Sequence, residues 1–163
     1  MGIVNFKKIM VATDGSTCAT LAADKGIEFA RLSGGTVYAV CVVSMAYLAS
    51  MTGDYYSSMG VNPYWETMHE ALKKQGQQAV DYVKGLVEMK GINVESVLLE
   101  GNPSNELIRY AEEEKMDIVI MGTVGKTGLD RLLLGSVAGN LVRHSKVPVM
   151  VVREIVNHEA NLK

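Results

Sequence analysis

The sequence predicts a single open α/β domain, in which five parallel strands form a sheet with helices on both faces. Short apolar segments alternate along the chain with longer segments whose apolar residues recur at helical spacing. The apolar segments are nearly continuous, which is typical of parallel strands that are covered on both faces. With 163 residues, 48% of them hydrophobic and 21% charged, the chain has the size and composition of one folded unit. We therefore expect residues 1–163 to form one domain.

Local signals define the first three elements. Residues 9–13 are an apolar run that predicts the first strand, and an Asp-Gly-Ser turn follows it. Small and apolar residues at helical spacing predict a helix over 17–33, which a Gly-Gly pair ends. The β-prone run 36–43 predicts the second strand.

The pattern breaks over residues 44–63, which mix serine, glycine, tyrosine and methionine. We interpret this stretch as an irregular insertion after the second strand. Its aromatic and methionine side chains, together with Tyr64 and Trp65, are compatible with three roles: a lid over a bound base, a surface for a partner protein, and ordinary coverage of the core.

The second half of the chain repeats the alternation. Amphipathic spacing predicts a long helix over 64–89, and Asn102 and Pro103 supply a cap and a first-turn proline for the next helix. A polar tail begins near residue 154. The other predicted elements are strands at 94–99, 117–121 and 148–152, helices at 103–114 and 136–144, and a glycine-rich loop at 122–134.

This glycine-rich loop is the strongest functional signal. Gly122, Gly125 and Gly128 precede Gly135 and Ser136, which open the last helix. Glycines let a backbone approach a ligand closely, and the free amides at a helix start attract phosphate oxygens. The alternative is that the glycines only shape a surface loop. Because open α/β sheets bind ligands at the carboxyl ends of their strands, the position of the loop favours a phosphate site.

Neither common nucleotide-loop pattern fits the chain. A P-loop needs glycine where Ile120 stands, and the turn after the first strand lacks the three spaced glycines of a dinucleotide-binding fingerprint. Asp14 in that turn suits ribose hydroxyls or a phosphate-bound Mg²⁺, and equally an Asx turn at the helix start. The two roles of Asp14 are compatible.

Composition and motif content exclude several functional classes. The balance of 16 basic and 18 acidic residues provides no field for nucleic-acid binding, and no apolar stretch reaches the roughly 20 residues of a membrane span. Cys18 and Cys41 are too few for a disulfide scaffold, which favours a cytoplasmic location. No nucleophile motif or metal-ligand spacing occurs, and His69, His144 and His158 are scattered, so we assign no catalytic residue.

Three segments together resemble the universal stress protein family, in its ATP-binding branch. They are Val-Ala-Thr-Asp-Gly-Ser at 11–16, Gly-Asn-Pro-Ser at 101–104, and the pattern Gly122-x2-Gly125-x9-Gly135-Ser136. The resemblance extends over residues 5–153 and implies a Rossmann-like fold of the adenine nucleotide alpha hydrolase type. It also implies ATP or another adenine nucleotide as the ligand, held with Mg²⁺ or Mn²⁺.

Position by position, the resemblance implies a binding site built from the ends of three strands and the last helix. The adenine would lie among Ala12, Thr13, Asp14 and Val42, with Asp14 also near the ribose and the metal ion. The sugar would contact Met121 and Gly122, and the phosphates would contact Gly125, Gly135, Ser136 and Val137.

Three positions depart from the family pattern. Val124 stands where many relatives have His or Arg, Ala138 replaces a hydroxyl residue of some ATP binders, and Gly139 replaces a frequent Glu. The glycine spacing itself is unchanged. We therefore expect a phosphate cradle with fewer polar neighbours than in many relatives.

The resemblance implies a homodimeric, nucleotide-dependent switch or regulator of the stress response. It would pair through its fifth strand, Val149–Val152, and act on an unidentified protein partner. The alternative is a dimeric interaction module that uses no nucleotide and binds partners through the 44–63 insertion. Slow ATP hydrolysis is a third hypothesis, although no general base or arginine clamp can be named from the sequence.

Overall fold

The computed structural model describes residues 5–46, 64–125 and 133–154. Its elements are, in chain order, β1 (Lys8–Ala12), α1 (Thr17–Ser33), β2 (Thr36–Val43), α2 (Trp65–Glu88), β3 (Val94–Glu100), α3 (Pro103–Glu113), β4 (Ile118–Gly122), α4 (Ser136–His144) and β5 (Val149–Val152). Each lies within one residue of its predicted bounds. Most of the predicted insertion, the middle of the glycine-rich loop and the polar tail fall on 47–63, 126–132 and 155–163, outside the described residues.

The strands form one parallel sheet in the order β3-β2-β1-β4-β5, which confirms the predicted fold class. β1 is central, since its Val11 pairs with Ala39 of β2 on one side and with Ile120 of β4 on the other. The chain therefore winds outward from β1 to β3, returns to β4 beside β1, and continues to β5. The winding direction reverses between β1 and β4, which is where this class of sheet binds ligands.

Helices α1 and α2 cover one face of the sheet. Ile9 and Val11 of β1 are fully buried on this face, in one cluster with Ala22 of α1 and Val80 of α2. Burying an aliphatic side chain of this size stabilises the fold by about 1.5–3 kcal/mol. This layer therefore supplies a large part of the core.

Helices α3 and α4 cover the opposite face. Met10 of β1 and Val40 of β2 are fully buried there, in one cluster with Leu107 of α3 and Leu141 of α4. Alternate residues of a strand point to opposite faces. Because both faces of β1 are covered, its sequence is a continuous apolar run rather than an alternating one.

Helix α2, with 24 residues, is the longest helix of the described residues. It is amphipathic: Val83 is buried against the sheet, whereas Tyr82 is 56% exposed. Its first turns are joined to the end of β3 by an interaction between His69 Nε2 and Glu100 Oε2 at 3.0 Å. Within the described ranges, no helix combines the length and the apolar character that a bilayer span requires.

Candidate functional site

A cavity of about 670 Å³ opens at the carboxyl ends of β1, β2 and β4. Leu72 of α2 and Leu107 of α3 reach it from the two helical layers, and the start of α4 also lines it. Small-molecule sites have volumes of roughly 300–1,000 Å³. The cavity therefore has the size of a ligand site and lies at the reversal between β1 and β4.

All ten residues that the resemblance implies for the nucleotide line this one cavity. They are Ala12, Thr13, Asp14, Val42, Met121, Gly122, Gly125, Gly135, Ser136 and Val137. These residues come from separate segments of the chain, and the sheet brings the segments together because β1 lies between β2 and β4. Their contact with a ligand stays a prediction.

The turn after β1 is held by hydrogen bonds to its own side chains. The Thr13 N–H donates to the Val40 carbonyl at 2.9 Å, which continues the sheet beyond the last residue of β1. The Ser16 N–H donates to Asp14 Oδ1 at 2.9 Å, and the Ala19 N–H donates to Ser16 Oγ at 3.2 Å. Asp14 thus forms the predicted Asx turn, and it also lines the cavity.

The start of α4 is joined to the end of β4 by a backbone hydrogen bond. The Gly135 N–H donates to the Thr123 carbonyl at 2.7 Å, and the Gly139 N–H donates back to the Gly135 carbonyl at 2.8 Å. Gly135 is the N-cap of the helix, and no side chain caps the first turn. The first amides of a helix have no carbonyl partner within the helix. The amides of Ser136 and Val137 therefore present partial positive charge at the cavity.

Close contacts leave no room for a Cβ at several glycines of this region. At Gly122 it would lie 2.5 Å from Cys18 Cβ. A Cβ on Gly135 would lie 2.9 Å from the Thr123 carbonyl oxygen, and a Cβ on Gly125 would overlap Asp14 Oδ2. Side chains at these positions would displace the start of α4 and the Asp14 carboxylate. The absence of side chains at these glycines thus permits the turn after β1, the loop after β4 and the start of α4 to approach one another closely around the cavity.

The structure also identifies lining residues that the sequence analysis did not assign to the site. Ser44 follows β2, Leu72, Gln75 and Gly76 belong to α2, and Pro103 begins α3. Helical spacing predicts that α2 is amphipathic, but only the packing of α2 against β2 brings Leu72, Gln75 and Gly76 to the cavity. Two of the departures from the family pattern, Val124 and Ala138, also line it.

The described lining carries little formal charge. Asp14 is its one carboxylate, and no lysine, arginine or histidine among the described residues lines the cavity. The described part of the chain also contains no cluster of three His, Cys, Asp or Glu residues that could hold a metal ion. A metal ion at Asp14 would therefore need further ligands from the phosphates of a nucleotide and from water.

The other candidate side chains lie outside this arrangement, apart from one cysteine. Cys18 and Cys41 are both buried and free of disulfides, and Cys41 lines the cavity. His69 pairs with Glu100, His144 is exposed, and His158 lies outside the described residues. Burial raises the pKa of Tyr110, and hydrogen bonding to Glu106 raises the pKa of Arg109, but neither of these two side chains lines the cavity.

Comparison with known proteins gives concordant matches. The sequence model of the universal stress protein family matches residues 5–153. The universal stress protein MJ0531 of Methanocaldococcus jannaschii is 38% identical over 149 residues, which cover 91% of this chain and 83% of the relative. The solved structure of MJ0577, from the same organism, is similar with a TM-score of 0.77 and 29% identity, covering 93% of this chain and 99% of that chain.

Two more distant structures share the fold and are complexes with adenine nucleotides. A universal stress protein in complex with cAMP is 22% identical with a TM-score of 0.61, over 91% of this chain and 98% of that one. An Arabidopsis thaliana protein of the family with AMP bound is 19% identical with a TM-score of 0.63, over 94% of each chain. At these identities the likeness concerns the fold.

Proposed function

Because the chain belongs to the universal stress protein family, we propose that it binds ATP or another adenine nucleotide in the cavity at the carboxyl ends of β1, β2 and β4. One observation carries the proposal. Ten residues from separate segments, which the family resemblance implies for the nucleotide, line the same cavity of about 670 Å³. Two proteins of the same fold hold cAMP and AMP, and both ligands contain the adenosine that this cavity would accept.

The base and ribose would occupy the β1–β2 side of the cavity. Strand β1 ends here with Ala12, which Thr13 follows, and Val42 of the neighbouring β2 also lines the cavity. The described lining here is mostly apolar, with Leu72 and Gly76 of α2 also contributing to it. An apolar slot with a few backbone polar groups is typical of a site for a planar heterocycle.

The phosphates would lie at the start of α4. The first-turn amides of Ser136 and Val137 have no side-chain cap, and the helix dipole adds partial positive charge at the same point. Backbone amides need no lysine or arginine to bind a phosphate. This explains how a cavity whose described lining has no basic side chain could accept an anionic ligand.

Asp14 supports a divalent cation as part of the ligand. A nucleotide with free phosphates would repel the Asp14 carboxylate, whereas Mg²⁺ or Mn²⁺ would neutralise both charges. The carboxylate lines the cavity beside Gly125, and an ion of this type commonly takes one carboxylate together with phosphate oxygens and water. Asp14 would hold the metal, which would supply charge neutralisation to the bound phosphates.

The nucleotide content of the purified protein tests this proposal. We expect adenine nucleotide in the supernatant after denaturation, and heat release on titration of nucleotide-free protein with MgATP. GTP should bind at least about tenfold more weakly, since a slot shaped for one base leaves polar groups of another unpaired. No released nucleotide together with no heat and no thermal protection would contradict the proposal. That result would favour the nucleotide-independent interaction module.

We further propose that the chain forms a homodimer through the open edge of β5, as a nucleotide-dependent switch. The Val119 and Thr123 amides donate to the carbonyls of Pro148 and Val152, at 2.9 and 3.0 Å. Backbone groups alternate in direction along a strand, so those of Val149 and Val151 point to the open edge. These groups, with half-buried valine side chains around them, are available to a second strand.

Val151→Pro tests the dimer without removing a hydrogen bond to β4. Proline deletes the outward N–H and should yield monomers in light scattering. Val151→Thr keeps the N–H and the branched shape, and should remain dimeric. Equal masses for the two variants would overturn pairing through β5.

A further inference from the structure

A polar contact joins the third and fourth helices near the cavity. Asn140 Nδ2 of α4 donates to Ser104 Oγ of α3 at 3.2 Å. Asn140 Oδ1 accepts from Arg143 Nη2 at 3.0 Å. Since the oxygen faces a guanidinium and the nitrogen faces a hydroxyl, the orientation of the amide is determined by its partners. The three side chains form one chain of hydrogen bonds.

The contact is largely shielded from water on the α3 side. Ser104 is 7% exposed, and it is one of three buried polar residues among the described residues. Buried hydroxyls are normally paired, because an unpaired one costs desolvation energy. The neighbouring Pro103 and Leu107 of α3 line the nucleotide cavity, as does Ala138 of α4. The hydrogen bond thus joins two residues whose near neighbours in α3 and α4 line the cavity.

Asn140 is one helical turn after Ser136. In an α-helix the N–H of residue 140 donates to the carbonyl of residue 136, so the backbone of Asn140 is coupled to the first peptide of α4. At the other end, the Gly135 N–H is bonded to the Thr123 carbonyl. Two hydrogen bonds, one to the residue after β4 and one to α3, therefore contribute to the orientation of the first turn of α4.

We infer that Asn140 is a positioning residue for nucleotide phosphates, acting through its hydrogen bond to Ser104. The inference rests on the proposed function. The apolar contacts of Ala138 and Leu141 hold α4 on the sheet but are non-directional, whereas a hydrogen bond has a preferred geometry. The hydrogen bond to Ser104 adds that directional contact and keeps the amides of Ser136 and Val137 directed at the cavity. Asn140 itself does not line the cavity.

Paired titrations with MgATP and adenosine test the inference. Adenosine lacks phosphates, so the ratio of the two dissociation constants reports the phosphate contribution alone. Asn140→Leu and Ser104→Ala should each lower the affinity for MgATP by about fivefold, the effect of one net hydrogen bond. The affinity for adenosine should stay within about twofold of wild type. Gln77→Leu is the control. It removes a comparable hydrogen bond, from Gln77 Nε2 to Asp81 Oδ1 at 2.8 Å on the exposed side of α2, and should change the affinity for neither ligand.

The double variant Ser104→Ala with Asn140→Leu gives a second readout. If the two side chains act as one unit, its MgATP affinity should equal that of Asn140→Leu, and the separate effects should not add. A merely structural role would lower the melting temperature and weaken both ligands equally. That result, or unchanged MgATP affinity in both single variants, would overturn the inference while wild-type ATP binding stands. A wild-type protein that binds neither ligand would overturn the inference and the proposed function together.

Discussion

Among the helices that begin at the cavity, α1 and α4 have first turns that differ in one respect. The first turn of α1 is capped by the chain itself, since Ser16 Oγ accepts from the Ala19 N–H and Asp14 Oδ1 accepts from the Ser16 N–H. The first turn of α4 has Gly135 as its N-cap and no side-chain cap. Both starts contain Gly-Ser, but the serine is the N-cap in α1 and the first helical residue in α4.

A shift of one position in the serine thus separates a helix start capped by its own side chain from one without a side-chain cap, where we propose that the ligand binds. A serine at the N-cap accepts a hydrogen bond from an amide of its own helix, so fewer first-turn amides are open to a ligand. A glycine at the N-cap leaves the amides open and permits close approach. If the proposed binding is correct, the two helix starts divide stability and binding between them, and four substitutions test this division.

Gly135→Ala should have the largest effect. The added Cβ would lie 2.9 Å from the Thr123 carbonyl oxygen, so the start of α4 must move. Hydrogen bonds to charged groups contribute about 1.5–3 kcal/mol each, and MgATP affinity should therefore fall by more than about tenfold in calorimetric titration. Gly85→Ala is the control, because its Cβ meets no atom within 4 Å. Equal affinities for the two variants would refute a binding role for the start of α4.

Gly125→Ala should have the second largest effect on MgATP affinity, because Gly125 lies against Asp14 in the turn before α1. Its Cβ would overlap Asp14 Oδ2, so either the loop or the carboxylate must move. We expect MgATP affinity to fall by about fivefold to tenfold, the equivalent of one charged hydrogen bond. Adding Asp14→Ala removes the overlap, so the effects of the two substitutions should be less than additive. Strict additivity would show that the two residues act separately.

Asp14→Asn should have a moderate and selective effect. The amide oxygen can still accept from the Ser16 N–H, so the melting temperature should change little. Loss of the negative charge should reduce the dependence of ATP binding on Mg²⁺, which we expect to be about tenfold in the wild type because one carboxylate ligand is involved. Titrations with ATP in Mg²⁺ and in EDTA measure this dependence. An identical response to EDTA in both proteins would remove Asp14 from the metal site.

Ser16→Ala should have the smallest effect on binding. It removes the cap of α1 and should lower the free energy of unfolding by about 1 kcal/mol, measured by urea denaturation. MgATP affinity should change far less than in Gly135→Ala. If Ser16→Ala weakened ATP binding as strongly as Gly135→Ala does, the division between a stabilising and a binding helix start would be wrong.

Much of the fold follows from local patterns. The bounds of α1, β2 and α4 coincide with their predictions, because helical spacing, β-prone runs and glycine ends act over a few residues. The residues that the family resemblance implies for the nucleotide share the cavity. Lining residues such as Gln75 and Pro103 were not predicted to belong to the site, since no local pattern tells which surface a helix will face.

The sequence by itself therefore determined the elements and their parallel arrangement, and its resemblance to the family implied the ten residues proposed for the nucleotide. Only the tertiary structure decided that β1 lies between β2 and β4, that Gly135 bonds to Thr123, and that Asn140 bonds to Ser104, 36 positions away. The physical reason is the range of the interactions. Backbone preferences and amphipathic spacing depend on neighbours within a turn or two, whereas the enclosure of a cavity and the aim of a helix depend on contacts that form only when distant segments pack.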